Sequence, residues 1–404
     1  MRAQPSAAPF WPVVLAAAGL LAVAMGSRSS MGLFLGPINS ATSLGAATVS
    51  LAIAAGLLAW GAALPLWGLW EKRAGPVRVV LIGAIASSVG LALLTVSEGA
   101  ASLTAAMVFG GVSGAALGAP MLMAVVAQRV PAGRHPLAMG VVSAGSSAGQ
   151  LLYSMIGAAL ISSFGWRAAL LAFAATLLAA TPLARMFRAP PVAVVEAAAS
   201  GSTPALHALR EPGYWCVTAG FFVCGFHVSF LTTHMPGVIE MCGLPPTFSG
   251  LWLAVVGACN IAGSLGAGWL MQRAPIKLLL AAVYALRALG VAAFIALPPS
   301  QPVLLVFALW MGLTYMATLP LTTGILARLY GAPKLAVLFG ITMAMHQIGS
   351  FLGTWLGGVE FQISGDYRWM WLADVLLATA AALVHLPLRE GDRAPRLATP
   401  LPAH

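Results

Sequence analysis

Gly68-Leu69-Trp70-Glu71-Lys72-Arg73-Ala74-Gly75-Pro76-Val77-Arg78 is a short charged stretch between two long apolar runs. A loop this short between runs of membrane-spanning length marks one side of a bilayer, and its excess of Lys and Arg assigns that side to the cytoplasm. The stretch has an echo 200 residues later, Gly268-Trp269-Leu270-Met271-Gln272-Arg273-Ala274-Pro275-Ile276-Lys277. Gly140, Gly149 and Gly157 recur at the same offset as Gly340, Gly349 and Gly357, so the register holds in two separate parts of each half. The chain is therefore read as a duplication of a six-helix unit.

With 60% hydrophobic and 7% charged residues, the chain is far too apolar for a soluble domain. Its backbone must find its hydrogen bonds inside hydrocarbon. Runs of about 20 residues without strict alternation do this as helices, not as barrel strands. The expected fold class is an all-α membrane protein of twelve transmembrane helices in two pseudo-symmetric bundles. The expected spans, numbered helix 1 to helix 12, are 11–36, 47–70, 77–97, 102–127, 136–162, 167–187, 213–238, 247–271, 277–298, 302–327, 335–358 and 368–388. The expected domains are an N-terminal half (1–188), a cytoplasmic linker (189–212) rich in Ala, Pro, Gly and Ser, a C-terminal half (213–388) and a cytoplasmic tail (389–404).

An N-terminus on the cytoplasmic side places 16 of the 20 Lys and Arg residues in cytoplasmic segments. Arg167 and Arg368 fall on the far side, and Arg28 and Arg287 lie within the membrane. The net charge of +10 thus follows from topology and calls for no nucleic-acid partner. The expected setting is a bacterial-type inner membrane, with both termini cytoplasmic and the chain monomeric. Cys216, Cys224, Cys242 and Cys259 have no metal-ligand spacing and are read as packing residues; no cofactor is expected.

The loop and start of helix 5 read Arg134-His135-Pro136-Leu137-Ala138-Met139-Gly140-Val141-Val142-Ser143-Ala144-Gly145-Ser146-Ser147-Ala148-Gly149. This resembles the signature of the monocarboxylate transporters of the major facilitator superfamily: an Arg, Leu-Ala, a Gly, then Ala-Gly-Ser and a further Gly. The stretch 68–78 is similar to that superfamily's loop motif between helices 2 and 3, with Lys72 where an Asp is usual and Glu71 displaced by one. The resemblance implies that helices 1, 4, 7 and 10 line a central substrate cavity, that Arg28 stands where those transporters carry a basic residue on helix 1, and that Phe34 matches a Phe six residues on. It also implies an Asp and an Arg on helix 8, where this chain has Asn260 and Ser264.

The candidate site residues follow from polarity inside spans. Arg28 has no carboxylate on its own helix, and a charge near the bilayer centre costs about 2.5–3.5 kcal/mol on the mildest scale. It is read as the seat of a substrate anion, against a structural role on helix-end carbonyls. His227 and His234 share a face of helix 7. Tyr315, Thr318 and Thr322 form a stripe on helix 10, beside Pro320 and Gly324, which weaken that helix. His346 and Gln347 lie on helix 11. The three histidines titrate near neutral pH, so each is a candidate proton carrier or a neutral hydrogen-bonding residue. Because the resemblance puts helices 9 and 12 on the bundle periphery, Arg287 and Asp374 are read as packing partners.

The loops hold no phosphate-binding loop, nucleophile elbow or metal cluster, so an enzyme is excluded. The expected activity is secondary transport of a small organic anion, most simply a monocarboxylate, with protons as coupling partner. The rival is efflux of drug-like or amphipathic compounds, for which Asp374 alone supplies a membrane carboxylate.

Overall fold

The structure, a computed structural model, describes residues 10–131, 134–188 and 205–390. Most of the linker (189–204) and of the tail (391–404), with the chain's terminal residues, lies outside these. The described residues contain no strand. Ten helical stretches are long and apolar enough to cross a membrane. One of them, Leu137–Arg188, reverses at Gly165 (φ 82°), a left-handed conformation that costs glycine little, and so supplies helices 5 and 6. Arg368–His385 completes the twelve. In the charged stretch that opened the reading, Gly75 (φ 79°) makes the turn between helix 2 (Ala46–Ala74) and helix 3 (Pro76–Leu94).

Three helices expected to line the cavity are broken. Helix 1 runs as Trp11–Ser29 and Gly32–Thr42, six residues past its expected end. The Ser27, Ser29 and Ser30 hydroxyls turn back onto the carbonyls of Val23 (2.9 Å), Met25 (2.7 Å) and Gly26 (2.9 Å), which bends a helix. Helix 4 runs as Ala100–Gly114 and Ala119–Ala127, separated by a 3₁₀ turn and the extended Gly118 just before Pro120. Helix 10 runs as Gln301–Tyr315 and Thr318–Tyr330. Its break precedes Pro320, which lacks the N–H that would bond the carbonyl of Met316. Helix 7, Pro212–Met241, is continuous.

The 200-residue offset holds in three dimensions. Gly149 on helix 5 lies too close to the backbone of Ala22 on helix 1 for a Cβ, and Gly349 on helix 11 meets Phe222 on helix 7 in the same way. Gly90 packs on Gly110 of helix 4, and Gly290 packs on Trp310 of helix 10. Between the halves the pairs exchange: Gly250 of helix 8 packs on Ala158 of helix 5, and Gly358 of helix 11 packs on Ser50 of helix 2. Small residues at these crossings let backbones approach where lipid offers no hydrophobic drive for association.

The core shows how the halves are arranged. At the end carrying residues 33–53 and 230–253, one cluster joins both halves, with Phe34, Ile38 and Phe173 packed together with Phe230, Met235 and Trp252. At the opposite end the core divides. One cluster holds Leu20, Val79, Leu122 and Phe187 of the N-terminal half, and another holds Tyr214, Phe221, Leu280 and Leu326 of the C-terminal half. The halves therefore meet at one end and part at the other. The parted end carries the basic loops.

Candidate functional site

Arg28 occupies the last turn of the first part of helix 1, where free carbonyls place partial negative charge beside its cation. Its guanidinium lies 4.2 Å from the centre of the Trp60 ring on helix 2. Nη1 is 3.9 Å from the sulfur of Met25, and the buried Nε has no hydrogen-bond partner. The side chain stays partly exposed, and no ion pair to it occurs among the described residues. A stacked ring and a helix end thus hold a cation whose donors are left for a ligand; a planar guanidinium suits a carboxylate. Tyr315 of the other half is buried, with its hydroxyl 3.4 Å from the carbonyl of Val228 and in charge interaction with both Arg28 and Arg287.

The remaining candidates divide. His346 is partly exposed, with Nδ1 3.0 Å from Gln347 Oε1. Gln347 is buried and donates to the carbonyl of Leu57 at 2.9 Å, tying helix 11 to helix 2 across the halves. Thr318 and Thr322 are buried, and the Thr318 hydroxyl lies 3.1 Å from Cys224 Sγ on helix 7. The lower helix 10 stripe is therefore committed to packing.

His227 and His234 share a face but not a neighbourhood. His234 is fully engaged: Nε2 donates to the Thr354 carbonyl at 2.7 Å, which fixes the proton on that nitrogen, and Nδ1 is 3.3 Å from the Tyr367 hydroxyl. In the turn before helix 12, burial first, then the carboxylates of Glu240 and Glu360, push the Tyr367 hydroxyl above its ordinary pKa, so it remains a donor. His227 is buried 3.2 Å from Asp374 on helix 12, outside the in-line geometry of a good hydrogen bond. Arg287 on helix 9 is also buried and within electrostatic range of both. Its Nη2 donates to the carbonyls of Thr314 (2.6 Å) and Tyr315 (2.7 Å), the groups freed by the break in helix 10.

Sequence reasoning set Arg287 and Asp374 aside as peripheral packing residues, and the structure joins them to His227 instead. An ionisable group inside a span was the available signal. Phe34 is core, packed edge-on against Phe173 with centroids 5.7 Å apart. Asn260, where the resemblance implies an Asp, is buried and donates to Gln150 across the halves at 3.2 Å.

Comparison with known proteins agrees with this architecture. The chain is 24% identical over 385 residues to monocarboxylate transporter 13 of Rattus norvegicus, covering 93% of this chain and 89% of the relative. It is 26% identical over 412 residues to monocarboxylate transporter 11 of Homo sapiens, covering 96% and 85%. A bacterial homologue of the human lysosomal transporter Spinster, solved in an inward-facing, unoccupied conformation, superposes with a TM-score of 0.75 at 17% identity, covering 93% of this chain and 96% of that one. The profile of the Major Facilitator Superfamily matches residues 17–354. A duplicated twelve-helix bundle with broken helices at its centre and a profile match over most of its length is a secondary transporter, and the chain belongs to the Major Facilitator Superfamily.

Proposed function

We propose that this protein carries a small organic anion, of the monocarboxylate class, across a bacterial-type inner membrane by alternating access and in company with a proton. The halves 1–188 and 213–388 rock about a site near the midplane, the linker 189–212 and both termini are cytoplasmic, and the unit is a monomer. The observation that carries this reading is Arg28, a partly exposed membrane cation seated on Trp60 with no carboxylate paired to it among the described residues. Tyr315 from the opposite half closes over an anion held there, and His346 supplies a further polar group on the open side. The names of the monocarboxylate transporters among the relatives support the same class.

Counterflow in proteoliposomes tests it. With labelled pyruvate, an amino acid and a cationic dye as probes, pyruvate alone should exchange, and unlabelled acetate or lactate should compete. Exchange of the dye instead would assign the protein to efflux of amphipathic compounds. Pyruvate binding without flux would make it a sensor.

A further inference from the structure

Resting on the proton-coupled reading above, we propose that the His227–Asp374 pair is the binding site of the transported proton, and that Arg287 links its occupancy to the break in helix 10. The site lies wholly in the C-terminal half, apart from the anion seat at Arg28 in the other half.

The first support is geometric. His227 and Asp374 are each fully buried, 3.2 Å apart, yet neither ring nitrogen nor either carboxylate oxygen makes a well-formed hydrogen bond. A buried polar pair kept only for packing would be expected to satisfy these atoms, because leaving them unmet is costly. A pair that must gain and lose one proton cannot be fully satisfied in both states.

The second support is the duplication. At the offset of 200, His227, Arg287 and Asp374 correspond to Ser27, Ser87 and Ala174. The N-terminal half builds the same fold there without charge: Ser27 bonds its own helix, Ser87 bonds Ser113, and the Ala174 carbonyl accepts from Ser88. The fold does not require the three ionisable groups, and one half alone has them.

The proton balance is simple. With one proton the pair is neutral overall, whether as His and Asp–COOH or as imidazolium and carboxylate. Without it, one negative charge stands near Arg287. No bond other than N–H or O–H forms or breaks, and water on either side of the membrane supplies and takes up the proton. When the pair is empty, the charge on Asp374 draws the guanidinium, whose Nε and Nη1 have no hydrogen-bond partner among the described residues, away from the Thr314 and Tyr315 carbonyls that its Nη2 holds. When it is filled, Arg287 is left to hold those carbonyls, as it does here. Occupancy is thereby transmitted to Tyr315, whose own carbonyl Arg287 holds.

The other charged and titratable groups around the pair are Tyr284 on helix 9, stacked on His385 of helix 12, with Tyr315 on helix 10, His346 on helix 11 and Cys224 on helix 7. Cys224 and the tyrosines are weak acids, the Cys224 thiol lies 3.1 Å from the Thr318 hydroxyl, and Asp374 is the one carboxyl of this group.

Two measurements test the proposal. Infrared difference spectra of the purified wild type cycled between acid and alkaline pH should show a buried carboxyl band that moves in Asp374→Glu, disappears in Asp374→Asn, and shifts its pH midpoint in His227→Gln. In proteoliposomes with pyruvate as probe, Asp374→Asn should lose at least tenfold of the accumulation driven by an acid-outside gradient. The midpoint shift in His227→Gln is a readout a merely structural pair would not give. If Asp374→Asn does not fold, Asp374→Glu and the wild-type spectrum still decide. Absence of the band, its survival in Asp374→Asn, or retained gradient-driven accumulation in that variant would overturn this inference while leaving coupling intact. Wild-type counterflow without any gradient-driven accumulation would overturn the coupling reading itself.

Discussion

At the scale of the residue, a charged group in hydrocarbon either has a partner or is waiting for one. Arg28 was legible in the sequence because a lone Arg in an apolar run stands out against any background. Its supports were less legible: Trp60 is 32 residues away, and the helix end beside Arg28 falls where three serines bond back onto their own helix. His227 and Asp374 are 147 residues apart, and nothing in their local sequence announces the contact. His234 shows the opposite outcome, a histidine on a promising face that is fully used in joining helices 7, 11 and 12. His234→Phe should remove the hydrogen bond that ties helix 7 to the Thr354 carbonyl of helix 11 and cost about 0.5–1.5 kcal/mol of stability. The measurement is a detergent melting curve beside pH-gradient-driven uptake: a lowered melting temperature with unchanged proton dependence is expected, and lost proton dependence at unchanged stability would place His234 in the coupling path.

At the scale of the element, hydropathy and the 200-residue repeat were enough to place twelve helices, because span length is set by the bilayer and not by details of packing. The breaks were harder to foresee. Pro320 and Gly324 marked helix 10 as weak, and the break falls at the carbonyls just before Pro320, where Arg287 collects them. Helix 1 carried no internal proline before its break, and serine back-bonding leaves no trace in hydropathy, so its extension to Thr42 was missed. Pro320→Ala restores a donor for the Met316 carbonyl and removes the reason for the break. The variant should melt at a higher temperature and turn over more slowly, since a straightened helix 10 stabilises one state. Faster turnover at unchanged stability would show that the break is incidental to the transport cycle.

At the scale of the whole molecule, one shared core at one end and two separate cores at the other describe a two-sided clamp opened toward its basic loops. The duplication was legible as an offset. The state of the clamp was not, because both states bury the same residues within each half and differ only in which ends of the halves meet. Ala47 of helix 2 donates its N–H to Gln362 Oε1 of helix 11 at 2.9 Å, so cysteines at these two positions, in a background with the four native cysteines replaced, should be bridged by a short reducible bifunctional thiosulfonate. The crosslinked protein should bind but not transport, and reduction should restore flux.

Pyruvate binding to that crosslinked protein, with and without Arg28, tests the central claim most directly. A charge pair about 4 Å apart at an effective dielectric near 20 is worth roughly 4 kcal/mol before desolvation, and each 1.4 kcal/mol is about tenfold in affinity. The locked protein should bind pyruvate as tightly as the unlocked one, Arg28→Gln should weaken binding at least tenfold at an unchanged melting temperature, and Arg28→Lys should recover part of the loss, since the charge returns without the planar two-point grip. Equal binding in the locked wild type and in Arg28→Gln would contradict the account, because the anion would then be held by something other than Arg28.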